Sequence, residues 1–174
     1  MIIPGNKQVV CITGNVWTGS RNAPRKLLVK DGYQRPTWFT TGRRVTDAEY
    51  VYVSNTDFHL SVASERVLAH MEFGGATVGI LKLELEKILE ASPRGALVVG
   101  PQEIAARVAD AIPQAIVFSL KDEMMELSPH LDDADKRGQV HRVDVDVLEP
   151  GAWSEVHIYM ADKLGFTLDK LGSE

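Results

Sequence analysis

The sequence predicts an α/β fold in which helices flank a mostly parallel central sheet. Residues 9–12, 95–100 and 115–120 form apolar runs without polar alternation, which is typical of strands buried on both faces. Segments with apolar residues at helical spacing separate these runs along the chain. Because strands that alternate with helices favour a parallel sheet, we expect helices to cover this one.

The chain begins with a strand, a glycine-framed loop and a helix. The strand is predicted at residues 9–12 and the helix over residues 22–32. Pro24 lies in the first turn of this helix and Gly32 just past its end, which are the positions that these two residues favour. The loop therefore joins the carboxyl end of a buried strand to the amino end of a helix.

The remaining elements continue the same alternation. They are, in order, a short extended piece at 37–44, a strand at 48–54, a capped helix at 56–68, a helix at 81–91, a strand at 95–100, a helix at 101–113, a strand at 115–120, a polar segment that is helical at its start from 121, a short strand at 144–150 and a helix or strand at 154–166.

Length and composition indicate one globular domain over residues 1–174. With 44% hydrophobic and 25% charged residues, the chain has enough material for one buried core and too little for two ordinary domains. It has neither a long apolar run nor a signal-like N-terminus, so we expect a soluble, cytoplasmic protein without a membrane span. The net charge of -5 argues against general binding to nucleic acid or to anionic membranes.

The individual reactive side chains do not predict a metal site or a nucleophile. Cys11, the single cysteine, lies in an apolar run, where we expect a buried and inert thiol. The five histidines lack metal-ligand spacing, and Asp132, Asp133 and Asp135 lack the other ligands of a calcium loop. A G-x-S-x-G motif is absent, so hydrolase chemistry has no support.

The order of the short motifs resembles that of the guanylate kinases, which are P-loop nucleoside monophosphate kinases. A glycine-framed loop is followed by TTGRR, YVYVS and GGATVG, and the resemblance covers roughly residues 7–120. It implies a three-layer fold with a monophosphate-binding insertion at about residues 36–80 and a lid at about residues 121–142. It also implies ATP and Mg²⁺ as cofactors and a nucleotide or other small phosphorylated molecule as ligand.

The glycine-framed loop departs from the pattern G-x-x-x-x-G-K-[ST]. In such a loop, backbone N–H groups cradle phosphate, the lysine adds a positive charge and the hydroxyl residue ligates Mg²⁺. Here Gly14 and Gly19 keep the frame, Ser20 stands at the lysine position, Arg21 at the hydroxyl position, and Trp17 adds bulk. We expect Gly14, Gly19 and Ser20 to bind phosphate, and phosphoryl transfer from ATP to be impaired.

Three arginines are candidates for the charge that the missing lysine would supply. Arg21 follows the loop directly, and Arg137 and Arg142 lie where the lid of guanylate kinases contributes arginines to the transferring phosphoryl group. These three are therefore the candidate catalytic residues.

The segment around TTGRR is the candidate acceptor site. Thr40, Thr41, Arg43 and Arg44 fall on the segment that holds the monophosphate in guanylate kinases, and Tyr50 matches the tyrosine of the following strand. Paired guanidinium groups can hold phosphate oxygens bidentately. In the alternative interpretation, the two arginines are solvated loop residues and Tyr50 only packs.

Guanine specificity does not carry over from the resemblance. The residue that reads guanine in the family is a glutamate, and it aligns approximately with Ala69. The base-contacting hydroxyls fall near Thr77 and Ile80, and an expected aspartate is Gly100.

Two classes of function therefore stay open. One is a guanylate-kinase-like phosphotransferase with an unusual loop. The other is a non-catalytic binding or protein-interaction module on the same scaffold.

Overall fold

The computed structural model describes residues 1, 3–14, 28–42, 49–121, 129–144 and 151–168. Within these residues, nine strands form two sheets, one of five strands and one of four.

The five-stranded sheet is parallel throughout, with the first strand at its centre. Its order is β2-β7-β1-β8-β9. The strands are β1 (Gln8–Gly14), β2 (Tyr33–Gln34), β7 (Gly95–Val99), β8 (Ile116–Lys121) and β9 (Val140–Asp144).

The four-stranded sheet lies between β2 and β7 in the sequence and has the order β4-β3-β6-β5. Its strands are β3 (Trp38–Thr40), β4 (Tyr50–Tyr52), β5 (Val67–Phe73) and β6 (Ala76–Leu81). β3 pairs with β4 in parallel, and the other pairs are antiparallel. Gly74 and Gly75 connect β5 to β6 with φ of 59° and 79°, a left-handed conformation that two-residue hairpin turns need.

Five α-helices are described. They are α1 (Asn55–Ala63), α2 (Lys82–Ala91), α3 (Gln102–Ala111), α4 (Asp132–Lys136) and α5 (Ala152–Leu164). A short 3-10 turn (Pro129–Leu131) precedes α4, and residues 28–30 are also helical. None of the described helices has the length and apolar composition needed to cross a membrane.

The parallel sheet has an apolar cluster on each face. Val9 and Cys11 of β1 belong to the first cluster, which also contains buried residues of α2, α3 and the four-stranded sheet. Val10 and Ile12 belong to the second cluster, together with Leu28 and buried residues of α5. This is an α/β fold with helices on both faces of a parallel sheet, as the sequence predicts.

The structure corrects two predicted elements. The helix predicted at 56–68 ends at Ala63, and Glu65 then adopts a positive φ of 57° before β5 begins. The strand predicted at 144–150 lies earlier, at Val140–Asp144, and residues 145–150 lie outside the described residues. The closing segment, for which helix and strand were both open, is the helix α5.

Cys11 is fully buried, as expected from its place in the apolar run. Burial raises the pKa of its thiol to about 12 because the thiolate would lie in apolar surroundings. The thiol therefore stays protonated at neutral pH.

Candidate functional site

A candidate crevice lies at the carboxyl ends of β1 and β7, because the described elements that follow these neighbouring strands lie on opposite faces of the parallel sheet. The segment after β1 packs Leu28 into the second cluster, whereas α3, which follows the adjacent β7, packs into the first. In open α/β sheets, ligands bind at the carboxyl ends of the strands at such a point. The carboxyl ends of β1 and β7 therefore border the candidate site.

Small and polar residues border the crevice on the face of the sheet that carries α3. Gly14 is the last residue of β1, and Thr13 lies beside Ser119 of β8. On the other side, the Gly100 N–H donates a hydrogen bond to the Ile12 carbonyl at 3.1 Å. Thr13 is fully buried, and its Oγ1 has no hydrogen-bond partner in the part of the chain that the structure describes.

One face of the four-stranded sheet is turned toward this crevice. Because β3 and β4 are parallel and pair Trp38 with Tyr50 and Thr40 with Tyr52, these four side chains share a face. A Cβ added at Gly100 would lie 2.9 Å from Trp38 Cη2. The Trp38 indole thus occupies the space into which a side chain at position 100 would project.

Two threonine hydroxyls at the end of β3 are held in place by backbone N–H groups. Thr40 Oγ1 accepts a hydrogen bond from Gly42 N–H at 3.1 Å. Thr41 Oγ1 accepts one from Thr77 N–H at 2.9 Å. A hydroxyl also carries one O–H donor. Both threonines therefore keep an O–H donor, on oxygens whose positions are fixed.

A cavity of about 200 Å³ opens beside the end of β7, lined by Arg35, Pro36, Thr37, Trp38, Glu49, Tyr50 and Val99. Arg35 Nη2 lies 2.5 Å from Glu49 Oε1. The Tyr50 ring meets Trp38 edge-on, with 6.1 Å between the ring centroids.

The sequence analysis missed Arg35, Trp38 and Glu49. A signal for Trp38 was present, because a residue two positions before Thr40 in a strand points to the same face. Arg35 and Glu49 are distant in sequence, and no pattern relates them.

The positions that would read guanine carry few polar groups. Ala69 and Ile80 are buried in the first apolar cluster, and Gly100 has no side chain. The Thr77 N–H donates to the Thr41 hydroxyl oxygen at 2.9 Å, and the Thr77 carbonyl accepts from the Thr41 N–H at 2.9 Å. The described residues at these positions therefore offer no carboxylate for a guanine base.

The Mg²⁺ implied by the resemblance to guanylate kinases does not fit the described residues of this crevice. Glu49, a carboxylate that lines the neighbouring cavity, is paired with Arg35. Among the described residues, no group of three or more His, Cys, Asp or Glu side chains is placed to hold a metal ion.

Arg137 does not lie near the carboxyl ends of β1 and β7. It precedes β9, which runs parallel to β8, so it lies at the amino-terminal edge of the sheet, opposite to Gly14. Its Nη2 is 2.7 Å from Asp110 Oδ1, and its Nε donates to Gln139 Oε1 at 2.7 Å. These contacts hold Arg137 at the carboxyl end of α3, and it is not brought together with the other candidates.

Arg142 of β9 pairs with Ser119 of β8, which pairs with Thr13 of β1, so the three residues lie side by side across the sheet. Two strand spacings, about 10 Å, separate its backbone from that of Thr13. Its guanidinium is 2.8 Å from the Asp135 carboxylate. Arg142 is thus near the carboxyl half of the sheet but on the edge strand.

Five of the candidate residues lie outside the described residues: Gly19, Ser20, Arg21, Arg43 and Arg44. Trp17 also lies outside them.

No protein-family model matches the chain, and a search of curated proteins finds no relative. Among solved structures, guanylate kinase from Anaplasma phagocytophilum superposes with a TM-score of 0.60 over 94% of this chain and 87% of that chain. The chain has a guanylate-kinase-like fold. Since the identity is 14%, this similarity shows the fold alone.

Proposed function

We propose that the chain binds a small phosphorylated ligand, a nucleotide or another phosphate ester, in the crevice between β1 and β7. The observation that carries the proposal is that Thr40 and Tyr50 share the face that looks into this crevice, on a guanylate-kinase-like scaffold. The Thr40 and Thr41 hydroxyls would donate to the phosphate, and Arg43 and Arg44 would add charge. Residues 36–80 would then act as the monophosphate-binding part of one domain that spans residues 1–174.

We further propose that phosphoryl transfer from ATP is impaired. Gly14, Gly19 and Ser20 would hold phosphate through backbone N–H groups, with Arg21 or Arg142 as the nearby cation. A guanidinium is planar and longer than an ammonium group, so it does not replace the lysine directly. Arg137 is left out of this proposal because it lies at the opposite edge of the sheet.

A non-catalytic binding module is the second candidate function. Trp38 favours it, because the indole takes the space that a side chain at the end of β7 would need. Binding without transfer requires only the phosphate contacts, whereas transfer also requires a second phosphorylated substrate in line with the first.

Calorimetric titration with inorganic phosphate tests the proposed binding site. In Thr40→Val, we expect the affinity to fall about ten-fold, since a charge-assisted hydrogen bond contributes roughly 1.5 to 3 kcal/mol. Thr40→Ser should restore most of the affinity, because it keeps the hydroxyl. The matched control is Thr56→Val, which alters an exposed threonine in α1. Equal affinities of all four proteins for phosphate would place the anion elsewhere.

Titration with ATP separates the two functions. An impaired loop should give weak ATP binding that changes little on addition of Mg²⁺. Tight and strongly Mg²⁺-dependent binding, with transfer of phosphate to an acceptor, would show a working kinase.

A further inference from the structure

The cavity beside β7 is small for a nucleotide. Its volume is about 200 Å³, below the roughly 300 to 1,000 Å³ of pockets that enclose drug-sized ligands. In the part of the chain that the structure describes, the Trp38 ring also lies against Gly100 and bounds the cavity at the end of β7 on that side. A compact ligand fits this space better than a purine nucleoside.

The apolar residues beside Trp38 and Thr40 give a purine base little to bond with. On the same face of the four-stranded sheet, the neighbours of Trp38 and Thr40 include Ile80, Ala69 and Val78, which are apolar. A purine edge carries several donors and acceptors, and burying them without partners costs free energy. A base on this side of the site would therefore lack polar partners.

The lining of the cavity itself is amphipathic. Trp38 provides an apolar ring with Tyr50 edge-on beside it. Arg35 and Thr37 provide N–H and O–H groups, and the Glu49 carboxylate accepts from Arg35. The guanidinium of Arg35 has five N–H donors, so its contact with Glu49 leaves donors for a ligand. A lining that combines an apolar ring with donors and acceptors suits a molecule that has both C–H groups and hydroxyl groups.

The spacing along β3 suits a short phosphate ester. Thr40 lies two residues beyond Trp38 on the same face, which is about 7 Å along a strand. A phosphate at Thr40 and a small carbon skeleton against Trp38 would therefore belong to one ligand.

We propose that this cavity receives the polyhydroxylated carbon skeleton of a small phosphate ester, a sugar phosphate or a compound like it, and that it excludes purine nucleotides. The inference rests on the proposed function, because the phosphate of the same ligand would bind at Thr40 and Thr41. The Trp38 ring packs against the carbon skeleton, and Arg35 and Thr37 donate to its hydroxyl groups.

Calorimetric titration with three probes tests this proposal. Ribose 5-phosphate is GMP with the base replaced by a hydroxyl group, so the pair isolates the effect of the base, and inorganic phosphate isolates the anion. We expect ribose 5-phosphate to bind at least ten-fold more tightly than either GMP or inorganic phosphate.

Two variants assign the difference to the cavity. Arg35→Met should weaken binding of ribose 5-phosphate about ten-fold and leave binding of inorganic phosphate unchanged. The matched control is Arg107→Met, which also removes an arginine paired with a glutamate but lies on α3. Trp38→Phe, which keeps an aromatic ring, should reduce ribose 5-phosphate affinity less than Trp38→Ala does.

The outcomes distinguish this inference from the proposed function. If ribose 5-phosphate binds no more tightly than inorganic phosphate, or if Arg35→Met has no effect, the cavity does not hold the carbon skeleton although phosphate binding stands. Tighter binding of GMP than of ribose 5-phosphate would overturn the exclusion of purines. If none of the three probes binds, the proposed function itself fails.

Discussion

At the scale of single residues, the contact between Trp38 and Gly100 gives the crevice its shape. A Cβ at position 100 would lie 2.9 Å from Trp38 Cη2. The indole can therefore occupy its position only because residue 100 has no side chain. Gly100→Ala should therefore lower the free energy of unfolding by about 1 kcal/mol through overpacking. In a Trp38→Ala background, the same substitution should be neutral or stabilising, since alanine reduces the entropy of the unfolded chain.

Urea unfolding of the wild type, both single variants and the double variant measures this coupling. Strictly additive free energies would show that the Trp38 ring does not rest on Gly100. The cycle reports stability, so it is independent of any ligand.

The surroundings of Arg137 are structural. The Gln139 side chain accepts from Arg137 and donates to main-chain carbonyls that include those of Ala109 and Ala115. Because Arg137 lies at the edge opposite to Gly14, Arg137→Met should leave phosphate affinity unchanged and reduce stability by no more than about 1 kcal/mol. A ten-fold loss of phosphate affinity in calorimetry would return Arg137 to the site.

At the scale of elements, the β5–β6 hairpin is the part of the fold that the sequence pattern does not predict. The sequence predicts one helix over residues 56–68 and no strand in the segment after it. The two adjacent glycines at 74 and 75 are a turn signal, yet the residues before them do not alternate cleanly because β5 carries an irregularity between Val67 and Ala69. Parallel strands such as Gly95–Val99 can be predicted, because a strand that is buried on both faces consists of a continuous apolar run.

The pairing of this hairpin with β3 requires a glycine at position 79. A Cβ there would lie 2.2 Å from the Ala69 carbonyl oxygen and 2.8 Å from Phe39 Cζ. Gly79→Ala should therefore cost about 3 kcal/mol, at the upper end of overpacking effects. Gly5→Ala is the control, since nothing lies within 4 Å of its added Cβ, and it should change stability by no more than about 0.5 kcal/mol. Thermal unfolding that treats the two variants alike would contradict this packing.

At the scale of the whole molecule, two histidines link stability to pH. Burial lowers the pKa of His70, and nearby Arg107 lowers it further, against an opposing effect of Glu103. Burial and Lys163 lower the pKa of His141. Below the ordinary value of 6.5, the unfolded chain therefore binds more protons at these positions than the folded chain. Their contribution to the free energy of unfolding is fully present above pH 6.5. It is lost as the pH falls through the lowered pKa values that the two histidines have in the folded state.

The His70→Gln, His141→Gln double variant should accordingly lose less stability than the wild type between about pH 7.5 and about pH 5. Urea unfolding at several pH values measures the difference. His59→Gln, at an exposed position of α1, is the control. If the double variant and the wild type lost equal stability over this pH range, other groups would carry the pH dependence.

More of the architecture than of the site could be predicted from the sequence. Patterns along the chain report which segments are buried, and burial fixes the parallel sheet. A site depends on residues that meet only after folding: Arg35 and Glu49 are 14 positions apart in the printed sequence, and the parallel pairing of β3 with β4 brings them together. Conversely, Arg137 falls within the predicted lid, at about residues 121–142, but lies at the amino-terminal edge of the sheet, opposite to Gly14.

The central claim is that a phosphate ester binds in the crevice between β1 and β7, and a crystal structure of the protein with ribose 5-phosphate tests it most directly. We predict phosphate oxygens about 2.7 to 3.2 Å from the Thr40 and Thr41 hydroxyl oxygens, with the sugar ring against Trp38. A ligand bound at the amino-terminal edge beside Arg137, or a crevice in which neither threonine contacts the phosphate, would contradict the account.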